Sequence, residues 1–270
     1  MLYKYFPPER IDVLKNSRIR FSQPSSLNDP YERMILVENL SLVQAFKEDQ
    51  LYELDAMWKT LPKEERSRSN RRIFNKAKQD TLRQVDMKLS ALTLGNEAMK
   101  HIDKSIGILS LSRVNHSLLM WSHYASSFTG FVIGFDAQHE FFNGITPAGT
   151  RAKPLRVCYS SRRTVVSTDD PDYYSKLLCE KPLEWAYEEE ERIMRSFTNE
   201  VMSGGFDSTK NPIYLETFPA ELITSLMIGF GAKKALRNSI LRIRDKKYPE
   251  APAFEAFPSI EEYRVEFRPL

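Results

Sequence analysis

The sequence contains little cysteine, which limits both its redox chemistry and its metal chemistry. Only Cys158 and Cys179 occur among 270 residues, so a disulfide framework is excluded. No cluster of histidine and cysteine has the spacing of a zinc site, and we therefore predict no bound metal. Both cysteines have aliphatic or aromatic neighbours, which favours inert packing over nucleophilic chemistry. This usage predicts a protein of a reduced, cytoplasmic compartment.

Long apolar runs and a large net charge are also lacking. Apolar stretches such as "GFVIGF" are far too short to cross a bilayer, and the first residues, "MLYKYFPPER", lack the apolar run of a secretory signal. We therefore expect a cytoplasmic protein that makes no contact with a membrane. Because 39 basic and 36 acidic residues give a net charge of only +3, any electrostatic preference for a partner must be local.

Glycine is scarce as well, and no complete glycine-rich phosphate loop is present. The stretch "MIGFGAKK" contains Gly229-x-Gly231 between a predicted strand and a predicted helix. It lacks the third glycine and the acidic ribose-binding residue of a dinucleotide fingerprint, and no Walker-type lysine loop occurs. We predict a tight strand-to-helix connection at this point.

Apolar residues make up 41% of the chain, which is enough for a substantial hydrophobic core. Residues 1 to 37 begin with a predicted strand, short helix and strand, whereas residues 38 to 104 show helical spacing with almost no strand signal. From residue 105 onward, short strand-like runs alternate with helices predicted at 115–125, 173–180 and 233–246. We predict one α+β domain with a mixed, mainly antiparallel sheet, flanking helices and a helical insertion at about 38–104.

The helical insertion carries a basic segment from Lys59 to Lys88. It contains ten Lys or Arg residues against four Asp or Glu residues, and includes "RSRSNRR". Exposed helices are often rich in charge, so a solvated face is the ordinary interpretation. A surface that contacts the phosphates of a macromolecular partner is the alternative.

An acidic run, "PLEWAYEEEERIMRSF", occupies residues 182–197. Local propensity favours a helix, in which Glu188 and Arg192 would form an i,i+4 pair. In a strand, by contrast, the period of two would bring Glu188, Glu190 and Arg192 to one face, and Glu189 and Glu191 to the other. From the residues of this run alone, both conformations remain open.

Four motifs together resemble the bacterial and archaeal family known as domain of unknown function 2971. They are "LYKY" at residues 2–5, "RFSQPSSLNDPYE" at 20–32, "LMWSHYASSFTGFVIGFD" at 119–136 and "KPLEWAYEEEERI" at 181–193. Phe128 departs from the family pattern, in which a histidine is expected.

More distantly, the order of these motifs resembles the ADP-ribosyltransferase fold. The matching elements are a strand at Leu2 to Phe6, a helix at Ile11 to Lys15, a strand at Ile19 to Ser22, and a late strand carrying Glu188-x-Glu190. With this resemblance, we predict a strand for the acidic run. The resemblance implies an enzyme that cleaves NAD or transfers its ADP-ribose to a protein or nucleic acid, as toxins and anti-phage effectors do.

The resemblance also implies roles for individual residues. Glu190 would stabilise the positive charge that develops on the ribose, Glu188 would activate the acceptor, and Arg192 would keep Glu190 ionised or contact phosphate. Lys4 stands where the transferase pattern has arginine or histidine. The remaining candidates for NAD binding are Tyr5, Phe21 or Trp121 for stacking on nicotinamide, Ser22 and Asn28 for ribose or amide, and His123 or Tyr124 for phosphate or ribose.

Two other classes of function remain open at this point. The first is a non-catalytic module that binds nucleic acid or protein through the basic segment. The second is a metal-dependent hydrolase or nuclease, in which Asp29, Glu32, Glu188 and Glu190 would converge on a divalent ion.

Overall fold

The computed structural model describes residues 1–144, 152–197, 202–207 and 210–270. The chain divides into two compact units. The first unit comprises residues 1–29, 102–162 and 179–270, and the second comprises residues 30–101 and 163–178. The predicted α+β class is confirmed, with a mixed, mainly antiparallel sheet and flanking helices. Among the described residues, no helix combines the length and the apolar composition needed to cross a bilayer.

The secondary structure follows the sequence pattern closely. The helices are α1 Asp12–Asn16, α2 Leu40–Thr60, α3 Arg68–Lys88, α4 Ala91–Ser105, α5 Leu118–Tyr124, α6 Glu140–Asn143, α7 Tyr173–Leu178 and α8 Lys234–Lys247. The strands are β1 Leu2–Phe6, β2 Arg18–Phe21, β3 Leu36–Glu38, β4 Ile106–Ser112, β5 Phe131–Phe135, β6 Leu155–Arg156, β7 Cys158–Ser160, β8 Val165–Ser167, β9 Glu180–Pro182, β10 Glu190–Ser196, β11 Met202–Phe206, β12 Pro212–Thr217, β13 Ile223–Gly229, β14 Ala253–Pro258 and β15 Val265–Pro269.

Several local predictions are confirmed by these bounds. The chain begins with strand, short helix and strand, and the helices predicted near 115–125, 173–180 and 233–246 are α5, α7 and α8. The Gly229-x-Gly231 stretch is a tight connection, because β13 ends at Gly229 and α8 begins at Lys234.

The main sheet of the first unit has the strand order β15-β14-β13-β5-β1-β4-β10-β6. Within it β13 and β14 run parallel, and the other neighbours are antiparallel. Strand β5, "FVIGF", is buried on both faces, which explains why its sequence is a continuous apolar run instead of an alternating one.

The main sheet opens between β1 and β4. Strand β1 pairs along its whole length with β5, yet it pairs with β4 only at Tyr3 and Ser112. Near the start of β4, Ile108 exchanges backbone hydrogen bonds of 2.7 and 2.8 Å with Ser22, which follows β2. Because β4 turns from β1 towards β2, a gap forms inside the sheet, and this gap positions the candidate site.

Two apolar clusters cover the two faces of this sheet. One contains Leu2 and Phe6 of β1 with residues of α1 and α8, including Leu14 and Ile240. The other contains Tyr5 of β1 with α5 and the residues that follow it. The alternation of side chains along β1 therefore supplies both clusters.

The connection from α5 to β5 is a left-handed turn. Ser126, Ser127 and Phe128 have φ values of 47°, 51° and 63°, a conformation that costs free energy in residues other than glycine. Two contacts hold the turn: the Phe128 ring stacks on Trp121 at 5.2 Å between centroids, and its carbonyl accepts a hydrogen bond from the Gly231 amide at 3.1 Å.

Glycine at position 229 is required by the close approach of this turn. A Cβ atom there would collide with the carbonyl oxygen of Phe128, a backbone atom that cannot move independently. We expect Gly229→Ala to lower the free energy of unfolding by about 1–3 kcal/mol, as overpacking does. At Gly231 the nearest atom would be 3.3 Å from the new Cβ, so Gly231→Ala is the matched control. Urea denaturation of both variants measures the difference, and equal stability would contradict this explanation.

Candidate active site

The acidic run adopts neither of the two simple conformations considered from the sequence. Residues Leu183–Glu188 form a 3₁₀ helix, Glu189 takes a left-handed conformation with φ 42°, and a strand begins at Glu190. The strand prediction is therefore correct from Glu190 onward and wrong before it. The break is fixed by β4 and the turn after it, since Ser112 Oγ donates to the Glu188 carbonyl at 2.6 Å and the Arg113 amide donates to the Glu189 carbonyl at 3.1 Å.

This break brings Glu188 and Glu190 together by a route that differs from strand alternation. The left-handed residue between them reverses the local direction, so both carboxylates enter the same buried region, with 4% and 5% of each residue exposed. Glu189 is exposed. Glu191 is partly buried and forms ion pairs with Arg113 and Arg156 at 3.4 and 3.6 Å.

Two buried cations accompany the two carboxylates. The Nζ atom of Lys181 lies 2.6 Å from Oε2 of Glu188 and 3.1 Å from Oε2 of Glu190. Arg192 donates to both oxygens of Glu190, from Nε at 2.8 Å and from Nη2 at 3.1 Å. Charges that are so well buried need such partners, because an unpaired ion in the protein interior is costly.

The surroundings of the two carboxyl groups shift their pKa values in opposite directions. Burial alone would raise the pKa of Glu190, but the charge and hydrogen bonds of Arg192, together with the charge of Lys181, lower it to about 2. Burial raises the pKa of Glu188, although Lys181 and the hydroxyl of Tyr124 act in the opposite direction. Glu190 is therefore firmly ionised, whereas the charge of Glu188 depends on its neighbours.

A cavity of about 250 Å³ lies at the gap between β1 and β4. Its walls come from these two strands, from the segment after β2, from α5, and from the residues of β9 and β10 that carry the charges. The predicted site residues that line it are Lys4, Tyr5, Ser22, Asn28, Tyr124, Glu188, Glu190 and Arg192. Lys181 and Ser110 also line it.

Lys4 gives the cavity an excess of positive charge. It donates to the carbonyl of Ser110 at 2.7 Å across the gap in the sheet, and it makes no ion pair among the described residues. Burial lowers the pKa of Lys4 to about 8, against the opposing effect of Glu190. At neutral pH three cations, Lys4, Lys181 and Arg192, therefore face two carboxylates, which favours an anionic ligand.

Tyr124 connects Glu188 to the segment after β2. Its hydroxyl donates to Oε1 of Glu188 at 2.5 Å and accepts a hydrogen bond from Nδ2 of Asn28 at 2.8 Å. Burial and the charge of Glu188 raise the pKa of Tyr124, so its hydroxyl stays protonated and continues to donate. Asn28 and Tyr124 thus fix the orientation of the Glu188 carboxylate.

Three of the predicted binding residues do not line this cavity. Phe21 and Trp121 are almost fully buried in the two apolar clusters, at 1% and 0% exposure, so the prediction that either ring stacks on a ligand is corrected. Their apolar character serves the core, and the indole of Trp121 donates to the Asn115 carbonyl at 2.7 Å. His123 is exposed, and its ring lies beside Tyr124 and Tyr187 at the surface.

Lys181 and Ser110 were not among the predicted site residues. Lys181 precedes a proline and stands near several glutamates, which is the usual setting of a surface lysine, yet its side chain is only 3% exposed. The single sign in the sequence was its position inside the motif that also contains Glu188 and Glu190. Ser110 occurs in an alternating strand and gave no signal of its own.

The described part of the chain does not provide the set of metal ligands that a metal-dependent hydrolase would need. Over residues 1–144, 152–197, 202–207 and 210–270, no group of three or more His, Cys, Asp or Glu side chains is arranged to hold a metal ion. Glu188 and Glu190, which that hypothesis used, are engaged with Lys181 and Arg192.

The fold and the site together define an α+β protein with a buried pair of carboxylates at an open cavity in its sheet. Residues 120–193 match the model of a family described as "Protein of unknown function (DUF2971)". This stretch runs from α5 to β10 and includes both glutamates, Lys181 and Arg192. No curated protein and no solved structure matches the chain.

The lowered pKa of Glu190 makes a prediction about acid stability. Because this pKa is lower in the folded protein than its ordinary value of 4.5, ionised Glu190 contributes stability above about pH 4.5. That contribution is lost as the pH falls towards 2, and it amounts to roughly 3 kcal/mol. Urea unfolding between pH 5 and pH 2.5 measures it, and we expect Glu190→Gln to have a shallower dependence on pH than the wild type. Exposed Glu189 supplies the control, Glu189→Gln; the same pH dependence in all three proteins would refute the assignment.

Proposed function

We propose that this protein is an ADP-ribosyltransferase-like enzyme that breaks the bond between nicotinamide and ribose in NAD. One observation carries the proposal: Glu190 is a buried and firmly ionised carboxylate at an open cavity of nucleoside size. The resemblance to the transferase fold provides further support, because it predicts the order of the elements that form the site. Lys4 lies on the first strand, Ser22 at the end of the second and Glu190 on the late strand, and all three line one cavity.

The chemistry of this bond requires a fixed negative charge. As nicotinamide departs, positive charge develops on the ribose, as in the oxocarbenium-like transition state of glycoside cleavage. A carboxylate held in place before the reaction stabilises that charge without reorganisation, and it does so more strongly in a site of low dielectric constant. Arg192 keeps Glu190 ionised and fixes its plane through two hydrogen bonds.

The size and charge of the cavity support entry of one end of the dinucleotide. Sites that enclose a whole drug-sized ligand measure roughly 300–1,000 Å³, and this cavity measures about 250 Å³. The nicotinamide and its ribose enter, while the adenosine end stays outside. Lys4 supplies the positive charge for the adjacent phosphate, and Ser22 and Asn28 offer hydrogen bonds to the ribose or the amide.

Glu188 is suited to the second half of the reaction. Its pKa is raised by burial, so it is a stronger base than Glu190 and can take a proton from the acceptor. The acceptor is water in hydrolysis, or a group on a protein or nucleic acid in transfer. The two carboxylates then have separate roles because their surroundings give them different basicities.

The hypothesis of a non-catalytic binding module gains little support from the second unit, residues 30–101 and 163–178. Lys78 of α3 forms an ion pair with Asp55 at 2.9 Å, and the guanidinium of Arg71 lies 5.2 Å from the centroid of the Trp58 ring. These two cations serve contacts inside the helical unit. The basic segment from Lys59 to Lys88 remains a candidate for contact with the phosphates of an acceptor.

The proposal is tested by incubating the protein with NAD and cell extract. We expect release of nicotinamide, with a loss of about 100-fold or more in Glu190→Gln, since removing one electrostatic stabiliser of a transition state has effects of this size. Chromatography measures the nicotinamide, and a label on the adenine moiety reports transfer to a macromolecule.

Glu189→Gln is the matched control, because it removes a neighbouring charge that is exposed and lies outside the cavity. It should retain nearly full activity. If the wild type releases no nicotinamide, or if Glu190→Gln and Glu189→Gln behave alike, the proposed function is wrong.

A further inference from the structure

Lys181 occupies the centre of the charged cluster. It is the middle residue of β9, and its side chain is 3% exposed. Its Nζ atom contacts both carboxylates and lies 4.8 Å from the centroid of the Trp185 ring. The ring covers the ammonium on one side by a cation–π contact, which restricts the position of the charge.

The distances assign the two cations to different carboxylates. Arg192 makes two hydrogen bonds to Glu190, and Glu190 is therefore held ionised with or without help from Lys181. Lys181 is closer to Glu188, at 2.6 Å against 3.1 Å for Glu190. Two neighbouring carboxylates in a buried site do not both ionise unless a cation compensates the second charge.

We propose that Lys181 is a positioning residue for the acceptor step, where its ammonium, set between Glu188 and Glu190, keeps Glu188 ionised and correctly oriented as the base. This inference rests on the proposed function, because an acceptor step exists only if NAD is cleaved. Over the whole reaction, the C–N bond to nicotinamide breaks and nicotinamide leaves with the electron pair. In the acceptor step, a bond forms from the acceptor oxygen to the ribose carbon, and the acceptor's proton passes to Glu188.

The surroundings of Glu188 determine which pH dependence is expected. The charged and titratable groups that face it are Lys181 on β9, Glu190 and Arg192 on β10, Tyr124 on α5, Tyr159 on β7 and Lys4 on β1. Tyr187, the preceding residue, is also near, and its pKa is raised by burial and by the charge of Glu188. Of these groups, the ammonium of Lys181 is the cation in direct contact with a Glu188 oxygen.

The experiment compares Lys181→Met with Lys181→Arg, using NAD as substrate and water as acceptor. The profile of kcat/KM against pH has an acidic limb where the base becomes protonated. We expect this limb to move upward by about one pH unit or more in Lys181→Met, because an opposite charge at contact distance shifts a pKa by about 1–3 units. Lys181→Arg keeps the charge and should keep the limb near its wild-type position. An unshifted limb in Lys181→Met, with wild-type activity established, would overturn the inference.

A second measurement does not depend on activity. Carbon-13 NMR of protein labelled at glutamate carboxyl groups follows the titration of Glu188, which is assigned from the signal absent in Glu188→Gln. We expect this titration to move to higher pH in Lys181→Met and to stay in place in Lys181→Arg. If the wild type fails to release nicotinamide, the proposed function fails, and the carboxyl titration still decides whether Lys181 controls the charge of Glu188. An unchanged titration would refute that role.

Discussion

Two carboxylates lie side by side in the interior at the start of β10, and the charge they bring must be balanced there. Lys181 and Arg192 balance it at distances of 2.6 to 3.1 Å. If either cation were lost, one carboxylate would be protonated or would be left as a costly buried charge. The turn at Glu189 directs both carboxylates towards Lys181, and Arg192 pairs with Glu190. A cluster that is so costly to bury is typical of a functional site.

The gap in the main sheet gives this cluster access to solvent. Strand β4 pairs with β1 only at its last residue, Ser112, and its earlier residue Ile108 forms hydrogen bonds with Ser22. The cavity is therefore a consequence of strand pairing, and Lys4 and Glu190 both lie on strands of the main sheet that border it.

Much of the fold could be predicted from the sequence, because period-two and period-3.6 patterns decide strands and helices wherever one face is buried. At Glu189 the period-two pattern did not predict the observed conformation. Nothing in the sequence at this residue indicates a left-handed backbone. The aromatic candidates failed for another reason: an apolar ring that stacks on a ligand and one that fills a core have the same local sequence. Phe21 and Trp121 belong to the second kind. Lys4, by contrast, shares a strand face with the core residues Leu2 and Phe6, and a charge in that position is a signal that sequence can supply.

We propose that the nicotinamide end of NAD binds in the gap between β1 and β4, next to the Glu190 side chain. A crystal structure of Glu190→Gln with NAD tests it most directly, since this variant should bind the substrate but turn it over only slowly. We expect the ribose next to nicotinamide within hydrogen-bonding distance of the residue 190 side chain, and a phosphate near Lys4. NAD bound elsewhere, with the cavity unchanged, would contradict this proposal.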